Sequence, residues 1–472
     1  MNLLNPYTGL YTDLYELTMA QGHFFAGRHH TPAVFDYFFR KNPYEGGFVV
    51  FAGLADLLEA IQDFAYSPQA LEYLKTQGFK SEFLEYLRNF QFRGHIWAAR
   101  EGEIVFPYEP IVRVEGTIIE TQLIETLLLN LLNFESLIAT KAARMRLVAG
   151  TRIIAEFGLR RAQGYGGMQA TRAAIVGGAN HTSNTLAGLH YGIPVTGTMA
   201  HAWVQSYENE LTAFRQFAQL YPDRCILLVD TYDTLRSGLP NAITVAKELE
   251  QKGHQLYGVR LDSGDLAWLS KKVRYMLDQA GLTYVKIIAS NQIDEYVIRS
   301  LREQQAPIDG FGIGTRLVTG YESPALDGVY KLSEYNGTPR LKISENRKKL
   351  TFPGRKFVVR YRNGQDKFFG DGIWLEGQAP TQRIIHPHEP EKQSTVTGLP
   401  YEPLLHCVMK NGKPLDPLPS PTEAAAYARQ RLAELPDEHK RFEYPHIYKV
   451  GLSQELFSLQ QQLLRQHIRI NP

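Results

Sequence analysis

The sequence has few cysteines, little net charge and no long apolar run. Two cysteines, Cys225 and Cys407, in 472 residues supply neither a disulfide framework nor a zinc-ligand pattern, which predicts a protein of the reducing cytoplasm. Fifty-one Lys and Arg oppose 49 Asp and Glu, a net charge of +2, so no overall basic field is available to bind nucleic acid or membranes. Any phosphate binding must therefore depend on locally placed groups.

The most apolar segment is too polar to be a membrane span. Residues 123–139 include Glu125, Asn130, Asn133 and Glu135 and fall short of the roughly 20 apolar residues that a spanning helix needs. We predict a largely buried helix of a soluble protein there. The N-terminus also lacks the basic start and the cleavage site of a secretory signal, which agrees with a cytoplasmic location.

The middle of the chain alternates short apolar runs with helical patterns. Six such runs occupy residues 152–158, 193–198, 226–230, 256–262, 285–290 and 308–315. Alternating strands and helices predict a parallel sheet, and polar residues gathered at the strand ends favour an irregular α/β barrel with its active site at that rim. An open doubly wound sheet remains the alternative.

The composition predicts three regions in all. Residues 1–125 form an N-terminal α+β domain with a leading active-site segment, residues 126–330 the α/β barrel catalytic domain, and residues 331–472 a small C-terminal region, β-rich and then helical. In this last region Asn336-Gly337 and Asn363-Gly364 are typical of hairpin turns.

Two further helices are predicted outside the middle region. Leu54 to Phe64 has a helical pattern. Ser420-Pro421-Thr422-Glu423 combines a capping box with proline at the first helical position.

Residues suited to anion chemistry follow several of the apolar runs. The glycines of Gly310 to Thr315 expose backbone amides that suit a phosphate, although a tight turn without ligand is an equal alternative. Arg260 and Asp262 share one strand face, where arginine suits an anion and aspartate a ribose hydroxyl or a magnesium-bound water. A helix-capping ion pair is the alternative for these two residues.

Further strand ends add an acid, a histidine and arginines. Asp230 and Asp233 follow one run, His201 follows another, and Phe157 and Arg160 follow a third. Each is weak alone, because a lone histidine or a pair of arginines is more often structural. Together they bring charged or phosphate-compatible groups to one predicted rim.

The ordered set of motifs resembles the nicotinate phosphoribosyltransferases, the type II phosphoribosyltransferases of NAD biosynthesis. The resemblance runs from the N-terminus to about residue 330 and rests on these segments: Thr12-Asp13-Leu14-Tyr15, Phe39-Arg40-Lys41-Asn42-Pro43, Glu156-Phe157-Gly158-Leu159-Arg160-Arg161, Thr182-Ser183-Asn184, Gly197-Thr198-Met199-Ala200-His201, Val259 to Asp265, Ala289-Ser290-Asn291 and Gly312-Ile313-Gly314-Thr315.

The resemblance implies an α/β barrel joined to an N-terminal α+β domain, with active sites completed across a homodimer. It implies an enzyme that converts nicotinate and phosphoribosyl pyrophosphate to nicotinate mononucleotide and pyrophosphate. ATP hydrolysis would be coupled to the reaction, a ligase-type activity, with Mg²⁺ as cofactor. Neither nucleic acid nor a membrane is an expected partner.

The resemblance also implies roles for individual residues. Phe157 and the partner subunit's Tyr15 would enclose the pyridine ring, and Thr198 and Arg260 would bind nicotinate. Arg160 would lie near the substrate anions. Gly312, Gly314 and Thr315 would bind the 5′-phosphate, and Ser290 and Asn291 would also bind substrate. The catalytic set is His201, Asp230, Arg260 and Asp262. His201 would be phosphorylated by ATP, with Asp230 oriented toward it, and the metal ligands are unassigned.

Three alternatives remain at the level of sequence. A nicotinamide-using relative has an aspartate where this chain has Asn184, so the neutral residue favours the acid substrate. A sugar-phosphate barrel lyase would need a Schiff-base lysine at a strand end, and Lys286 stands instead at the start of its run. A metabolite sensor would bind phosphoribosyl pyrophosphate without turnover.

Overall fold

The computed structural model describes residues 8–343, 349–380 and 382–470, with side chains through residue 466. The chain forms two compact units, one of Met1–Leu137 with Ala325–Pro472 and the other of Ile138–Pro324. The first unit therefore combines both ends of the chain. The predicted division into three regions stays a prediction.

The unit Ile138–Pro324 contains a six-stranded parallel sheet. Its strands, in spatial order, are His181–Thr182, Ile153–Glu156, Gly310–Ile313, Lys286–Ser290, Gly258–Leu261 and Ile226–Leu228. The register pairs Ser290 with Gly312 and Leu228 with Arg260. Parallel pairing in this register brings the carboxyl ends of the strands to one edge, as the sequence predicted.

Pairing in this sheet ends at His181–Thr182 on one side and at Ile226–Leu228 on the other. The apolar run at 193–198 contributes only a single bridge, between Val195 and Thr182. Pro194 lacks a backbone N–H, which limits this run as a strand. Closure of the sheet into a barrel stays a prediction.

Helices follow the strands in this unit, as the alternation predicted. They are Gly166–Val176, Thr185–Tyr191, His201–Gln205, Glu210–Leu220, Leu239–Gln251, Leu266–Gln279, Glu295–Glu303 and Thr315–Val318, with short turns at Leu159–Arg161, Pro222–Arg224 and Thr234–Gly238. Asp265 caps the helix Leu266–Gln279 by accepting from Trp268 N, at 3.0 Å.

Residues 125–139 of the apolar segment lie within the long helix Glu125–Ala149, which contributes residues to both units, whereas Leu123 ends the separate helix Ile118–Leu123. Leu127, Leu128, Leu131 and Leu132 are fully buried, so the prediction of a buried helix is confirmed. No helix within the described ranges is both long and apolar enough to cross a bilayer.

The strands of the first unit pair antiparallel, except that Phe368–Leu375 and Val450–Leu452 pair parallel. A seven-stranded sheet has the order Thr338–Pro339, Gly328–Tyr335, Pro32–Phe39, Val112–Thr117, His95–Ala98, His406–Lys410 and Lys413–Pro414. A six-stranded sheet has the order Gln393–Thr395, Arg383–Ile385, Val450–Leu452, Phe368–Leu375, Lys356–Arg362 and Tyr401–Pro403, and Val49–Val50 pairs with Ile104–Val105. Both predicted Asn-Gly turns connect adjacent antiparallel strands.

The remaining helices of this unit are Leu14–Phe25, Leu54–Gln62, Pro68–Thr76, Ser81–Arg88, Ile118–Leu123, Pro421–Glu434 and Gln454–Ile470, with single turns at Pro43–Glu45 and Asp437–His439. The predicted helix start at Ser420 is confirmed, because Ser420 and Glu423 form a capping box.

A buried ion cluster connects the two ends of the chain in this unit. Arg360 is fully buried and donates to both carboxylate oxygens of Asp371, at 2.9 and 2.6 Å, and to Glu103, at 2.7 Å. Glu103 also accepts from Arg431 at 2.8 Å. Since an unpaired buried charge costs about 3–5 kcal/mol, these residues strongly favour one arrangement of the strands and the helix Pro421–Glu434.

Glu109 adds a third carboxyl to this cluster, beside those of Asp371 and Glu103. Burial and the neighbouring charge of Asp371 hold the pKa of Glu109 well above its usual range. A carboxyl whose pKa is raised in the folded state destabilises the fold once the pH exceeds the pKa of the same carboxyl in the unfolded chain, which is about 4.3.

We predict that Glu109→Gln stabilises the protein increasingly as pH rises. The folded carboxyl keeps its proton while the unfolded one loses it, so the wild-type protein loses up to ~1.4 kcal/mol per pH unit that the amide does not lose. Urea unfolding of both proteins between pH 5 and pH 8 measures the difference. A difference in unfolding free energy that is constant over this range would contradict the prediction.

Candidate active site

The carboxyl edge of the parallel sheet gathers most of the residues proposed from sequence. Arg260 lies in the strand Gly258–Leu261, and Ser290 is the last residue of the strand Lys286–Ser290. Phe157 directly follows the strand Ile153–Glu156. Asp230 follows the strand Ile226–Leu228. Because all of these strands are parallel, their side chains meet at one edge.

Arg260 is the centre of this group. Its Nε donates to Ser290 Oγ at 2.8 Å, and its two terminal nitrogens donate to Thr198 Oγ1 at 2.9 Å and to Asp262 Oδ1 at 2.7 Å. Three of the five guanidinium N–H groups are thus used, and the fork is held in one orientation. Among the described residues the other two N–H groups have no hydrogen-bond partner, so they can serve a ligand.

The two aspartates at this edge hold the backbone and the hydroxyls around Arg260. Asp262 Oδ1 also accepts a short hydrogen bond from Ser290 Oγ. Asp230 Oδ2 accepts from Asp262 N at 2.9 Å and from Ser263 Oγ at 2.6 Å. Asp262 and Asp230 therefore connect three neighbouring strand ends.

Phe157 presents an aromatic face next to the guanidinium. The Arg260 Cζ atom lies 5.7 Å from the centre of the Phe157 ring, within cation–π range. Gly312 packs against this ring, because an added Cβ would come within 2.6 Å of the Phe157 Cδ2 and Cε2 atoms. Any larger residue at position 312 would displace the Phe157 ring. Close packing therefore explains why the motif Gly312-Ile313-Gly314-Thr315 begins with glycine.

A cavity of about 540 Å³ adjoins this group. Phe157, Gly197 and Thr198 line it together with Ala155 and Phe311 from neighbouring strands. His181, Asp223 and Arg224 also line the cavity. Where Phe157 and Thr198 line it, the aromatic face and the hydroxyl suit a flat aromatic ring with a polar substituent.

His201 begins the helix His201–Gln205 and is half-buried. Its Nδ1 lies 3.1 Å from Thr231 Oγ1. The hydrogen-bond partners of Asp230 are Asp262 and Ser263 instead, so the orientation of Asp230 toward His201 stays a prediction. The sequence reasoning missed Thr231, although its position directly after Asp230 was a usable signal.

Asn184 is buried, and its side-chain amide forms hydrogen bonds within the protein. Its Oδ1 accepts from Ala187 N at 3.1 Å, which caps the helix Thr185–Tyr191, and its Nδ2 donates to Thr171 Oγ1 at 3.2 Å. Both ends of the amide are therefore engaged inside the protein. In this conformation Asn184 does not by itself explain a preference for the acid substrate.

Glu156, for which the sequence predicts no role, is fully buried beside Asn184. It accepts from Thr182 Oγ1 at 2.6 Å and from Thr171 Oγ1 at 3.0 Å. These bonds connect the edge strand to the helix Gly166–Val176 and so support the position of Phe157.

Other proposed residues lie around this group. Arg160 is exposed in the turn Leu159–Arg161, Asn291 is exposed in a left-handed backbone conformation with φ of 82°, and Gly314 and Thr315 begin the short helix Thr315–Val318. Tyr15 is in the other unit, on the helix Leu14–Phe25. Lys286 contacts Tyr257 OH at 3.2 Å at the opposite end of its strand, so it is badly placed for a Schiff base at this edge.

The carboxylates fit a magnesium ion that is bound mainly by a substrate. Within the ranges that the structure describes, no three His, Cys, Asp or Glu side chains are arranged to hold a metal by themselves. Mg²⁺ commonly takes one or two carboxylates together with phosphate oxygens. Asp230 Oδ1 is buried without a hydrogen-bond partner among the described residues, which suits such a ligand.

Comparison with known proteins covers nearly the whole chain. Models of the nicotinate phosphoribosyltransferase family match residues 10–133 (N-terminal domain), 153–367 (family core) and 355–460 (C-terminal domain). A nicotinate phosphoribosyltransferase of Bacillus subtilis is 44% identical over 97% of this chain and 95% of its own length. One from Bos taurus is 35% identical over 95% of each chain.

Solved structures agree with these matches. The crystal structure of human nicotinic acid phosphoribosyltransferase has a TM-score of 0.87 at 33% identity and covers 96% of this chain and 99% of its own. A nicotinate-nucleotide pyrophosphorylase from Pyrococcus furiosus shares the fold, with a TM-score of 0.72 at 23% identity. The chain therefore belongs to the nicotinate phosphoribosyltransferase family.

Proposed function

We propose that this protein is a nicotinate phosphoribosyltransferase that forms nicotinate mononucleotide and pyrophosphate from nicotinate and phosphoribosyl pyrophosphate in NAD biosynthesis. The observation that carries the proposal is the fixed guanidinium of Arg260 beside the face of Phe157, 5.7 Å from its ring centre. A pyridine carboxylate matches both groups, because the ring can stack on Phe157 while the carboxylate accepts from Arg260.

The chemistry of the reaction agrees with the residue types present. The pyridine nitrogen carries its own lone pair, so its attack on C1 of the ribose needs no general base. The C1–O bond to pyrophosphate breaks as the N–C1 bond forms, and catalysis depends on alignment and on stabilising the leaving anion. Phe157, Thr198 and Arg260 would align the ring, and Asp230 and Asp262 would assist Mg²⁺, which neutralises the pyrophosphate.

The remaining parts of the proposal follow the family resemblance. Gly312, Gly314 and Thr315 would hold the 5′-phosphate, Ser290, Asn291 and Arg160 would bind the rest of the substrates, and the partner subunit's Tyr15 would cover the pyridine ring in a homodimer. Closure of the parallel sheet into a barrel and a cytoplasmic location also belong to this proposal.

ATP would act through His201. A neutral imidazole is a competent nucleophile near pH 7, and the Nδ1 contact with Thr231, at 3.1 Å, limits rotation of the ring. We infer that one imidazole nitrogen attacks the γ-phosphorus of ATP, ADP leaves, and the phosphohistidine is later hydrolysed. Its added charge would favour product formation at the same edge of the sheet.

The first prediction tests the reaction itself. Purified protein with phosphoribosyl pyrophosphate, Mg²⁺ and ATP should release pyrophosphate only when nicotinate is added, and nicotinamide should compete weakly. A coupled pyrophosphate assay measures both. Nicotinate-independent release, or no release with or without ATP, would contradict the proposed reaction, and equal use of nicotinamide would support the nicotinamide alternative.

The second prediction concerns Arg260. Arg260→Lys keeps the charge but loses the planar fork that three partners hold, so kcat/KM for nicotinate should fall about 100-fold, or ~2.7 kcal/mol. Arg215→Lys is the matched control, because Arg215 pairs with Glu248 at 2.6 Å on the surface of the same unit, where an ion pair contributes little. Steady-state kinetics with equal losses in both variants would refute the role of Arg260.

The third prediction concerns His201. His201→Ala should abolish nicotinate-dependent ATP hydrolysis and leave a slow transfer, because transfer itself needs no phosphohistidine. His254→Ala is the control, since His254 pairs with Asp223 at 2.8 Å on the surface. ADP and nicotinate mononucleotide are measured in parallel, and unchanged ATP hydrolysis in His201→Ala would show that another residue couples ATP.

A further inference from the structure

The imidazole of His201 is oriented by a contact between two segments of the unit Ile138–Pro324. His201 begins the helix His201–Gln205, and its Nδ1 lies 3.1 Å from Oγ1 of Thr231. Thr231 lies outside that helix, after the strand Ile226–Leu228. The orientation of the imidazole therefore depends on what holds the helix and the segment around Thr231 together.

The helix His201–Gln205 is attached to the next helix, Glu210–Leu220. Trp203 Nε1 donates to the carbonyl of Ala213 at 3.0 Å, and the ring centre of Trp203 lies 6.0 Å from that of Phe217. A helix of five residues is marginal by itself, so these contacts determine its direction. The imidazole is thus carried by the longer helix.

Glu210 connects this longer helix to the segment around Thr231. It is the first residue of the helix and is only 3% exposed. Its Oε2 accepts from Ser237 Oγ at 2.5 Å and from Asn241 Nδ2 at 3.0 Å. Ser237 lies in the turn Thr234–Gly238, shortly after Thr231 in the chain. A carboxylate forms stronger hydrogen bonds than a neutral acceptor, so Ser237 is held firmly.

The segment between Thr231 and Ser237 is itself constrained. The Asp233 carbonyl accepts from Ser237 N at 3.0 Å and from Gly238 N at 2.9 Å. Gly238 packs closely on the backbone just before Thr231, because an added Cβ would lie 1.9 Å from the Val229 carbonyl oxygen. Since close packing leaves the segment little room to move, a fixed Ser237 also fixes Thr231.

We propose that Glu210 is a positioning residue that holds Thr231 beside Nδ1 of His201 and so orients the imidazole for phosphorylation by ATP. The inference rests on the proposed function, in which His201 accepts the γ-phosphoryl group. The contacts form a closed circuit that starts and ends at the imidazole. Removing the carboxylate of Glu210 opens this circuit and frees Thr231 to move away.

Orientation matters for this step because phosphoryl transfer depends mostly on alignment. The unprotonated imidazole nitrogen bonds to the γ-phosphorus while the bond from that phosphorus to the β–γ bridging oxygen breaks, and ADP leaves with that oxygen. Water later cleaves the nitrogen–phosphorus bond and releases phosphate. A nucleophile that is displaced by about 1 Å loses about 100-fold in rate. Transfer without ATP does not use His201 and should be insensitive to its orientation.

The test measures ATP hydrolysis and ATP-independent transfer separately in the full-length protein. Glu210→Ala removes the acceptor for Ser237 and should lower kcat for nicotinate-dependent ATP hydrolysis about 10-fold. Incorporation of radiolabelled phosphate from γ-labelled ATP should slow equally. Formation of nicotinate mononucleotide without ATP should stay within about 2-fold of the wild-type rate. Glu210→Gln retains an acceptor oxygen and should restore ATP hydrolysis to within about 3-fold.

Coupling to Thr231 shows whether Glu210 acts through it. Thr231→Val removes the hydroxyl, and its double variant with Glu210→Ala should lose no more ATP hydrolysis than Thr231→Val alone, instead of about 10-fold more. Asn209→Ala is the matched control, because Asn209 caps the same helix by accepting from Thr212 N at 2.9 Å. It weakens the helix but keeps the Ser237 contact, so both rates should stay within about 2-fold of wild type.

Four outcomes would overturn the inference. They are a parallel loss of ATP-independent transfer, multiplicative losses in the double variant, no recovery in Glu210→Gln, or an equal loss of ATP hydrolysis in Asn209→Ala. If Glu210→Ala does not fold, Ser237→Ala takes its place, since it removes only the donor, and unchanged ATP hydrolysis there would refute the role of Glu210.

Failure of the proposed function gives a different result. Wild-type protein that forms nicotinate mononucleotide without hydrolysing ATP would refute the phosphorylation of His201 and, with it, this role of Glu210. Wild-type protein without nicotinate-dependent release of pyrophosphate would refute the proposed reaction. Both results appear before any substitution is made, so they are distinguishable from failure of the variants.

Discussion

The active-site edge depends on the need to satisfy a largely buried guanidinium. Arg260 is 16% exposed, and leaving its N–H groups unpaired there would cost several kcal/mol. Ser290, Thr198 and Asp262 supply the acceptors, and each comes from a different segment of the chain. The same bonds that stabilise the fold also fix the orientation of the two N–H groups that remain for a ligand.

This constraint extends outward from the arginine. Asp230 holds the backbone of Asp262, so the acceptor on which Arg260 depends is itself fixed. Phe157 packs against Gly312. Glu156 anchors the strand end that Phe157 follows. The ring, the cation and the carboxylates therefore form one preorganised group, which is the property that transfer chemistry without an acid–base pair requires.

The first unit uses buried charge in a second way. Arg360 and Arg431 share the carboxylate of Glu103, and this arrangement joins the segment near residue 100 to the helix Pro421–Glu434. The carboxyl of Glu16, on the helix Leu14–Phe25, accepts hydrogen bonds from the backbone N–H and the hydroxyl of Thr126 at the start of the helix Glu125–Ala149. In both places, residues that look like ordinary surface charges in the sequence are buried and form hydrogen bonds or ion pairs inside the protein.

The sequence alone determined the alternation of strands and helices, the caps such as Ser420 with Glu423, and the strand that contains Arg260 and leads to Asp262, because these depend on local spacing and local hydrogen bonds. Only the tertiary structure decided which acceptors surround Arg260 and that Thr231 contacts His201. It also decided that the Asn184 side chain caps a helix and that both ends of the chain belong to one unit. Those features depend on contacts between residues far apart in sequence, and the direction of a side chain at a strand end is chosen by its partners.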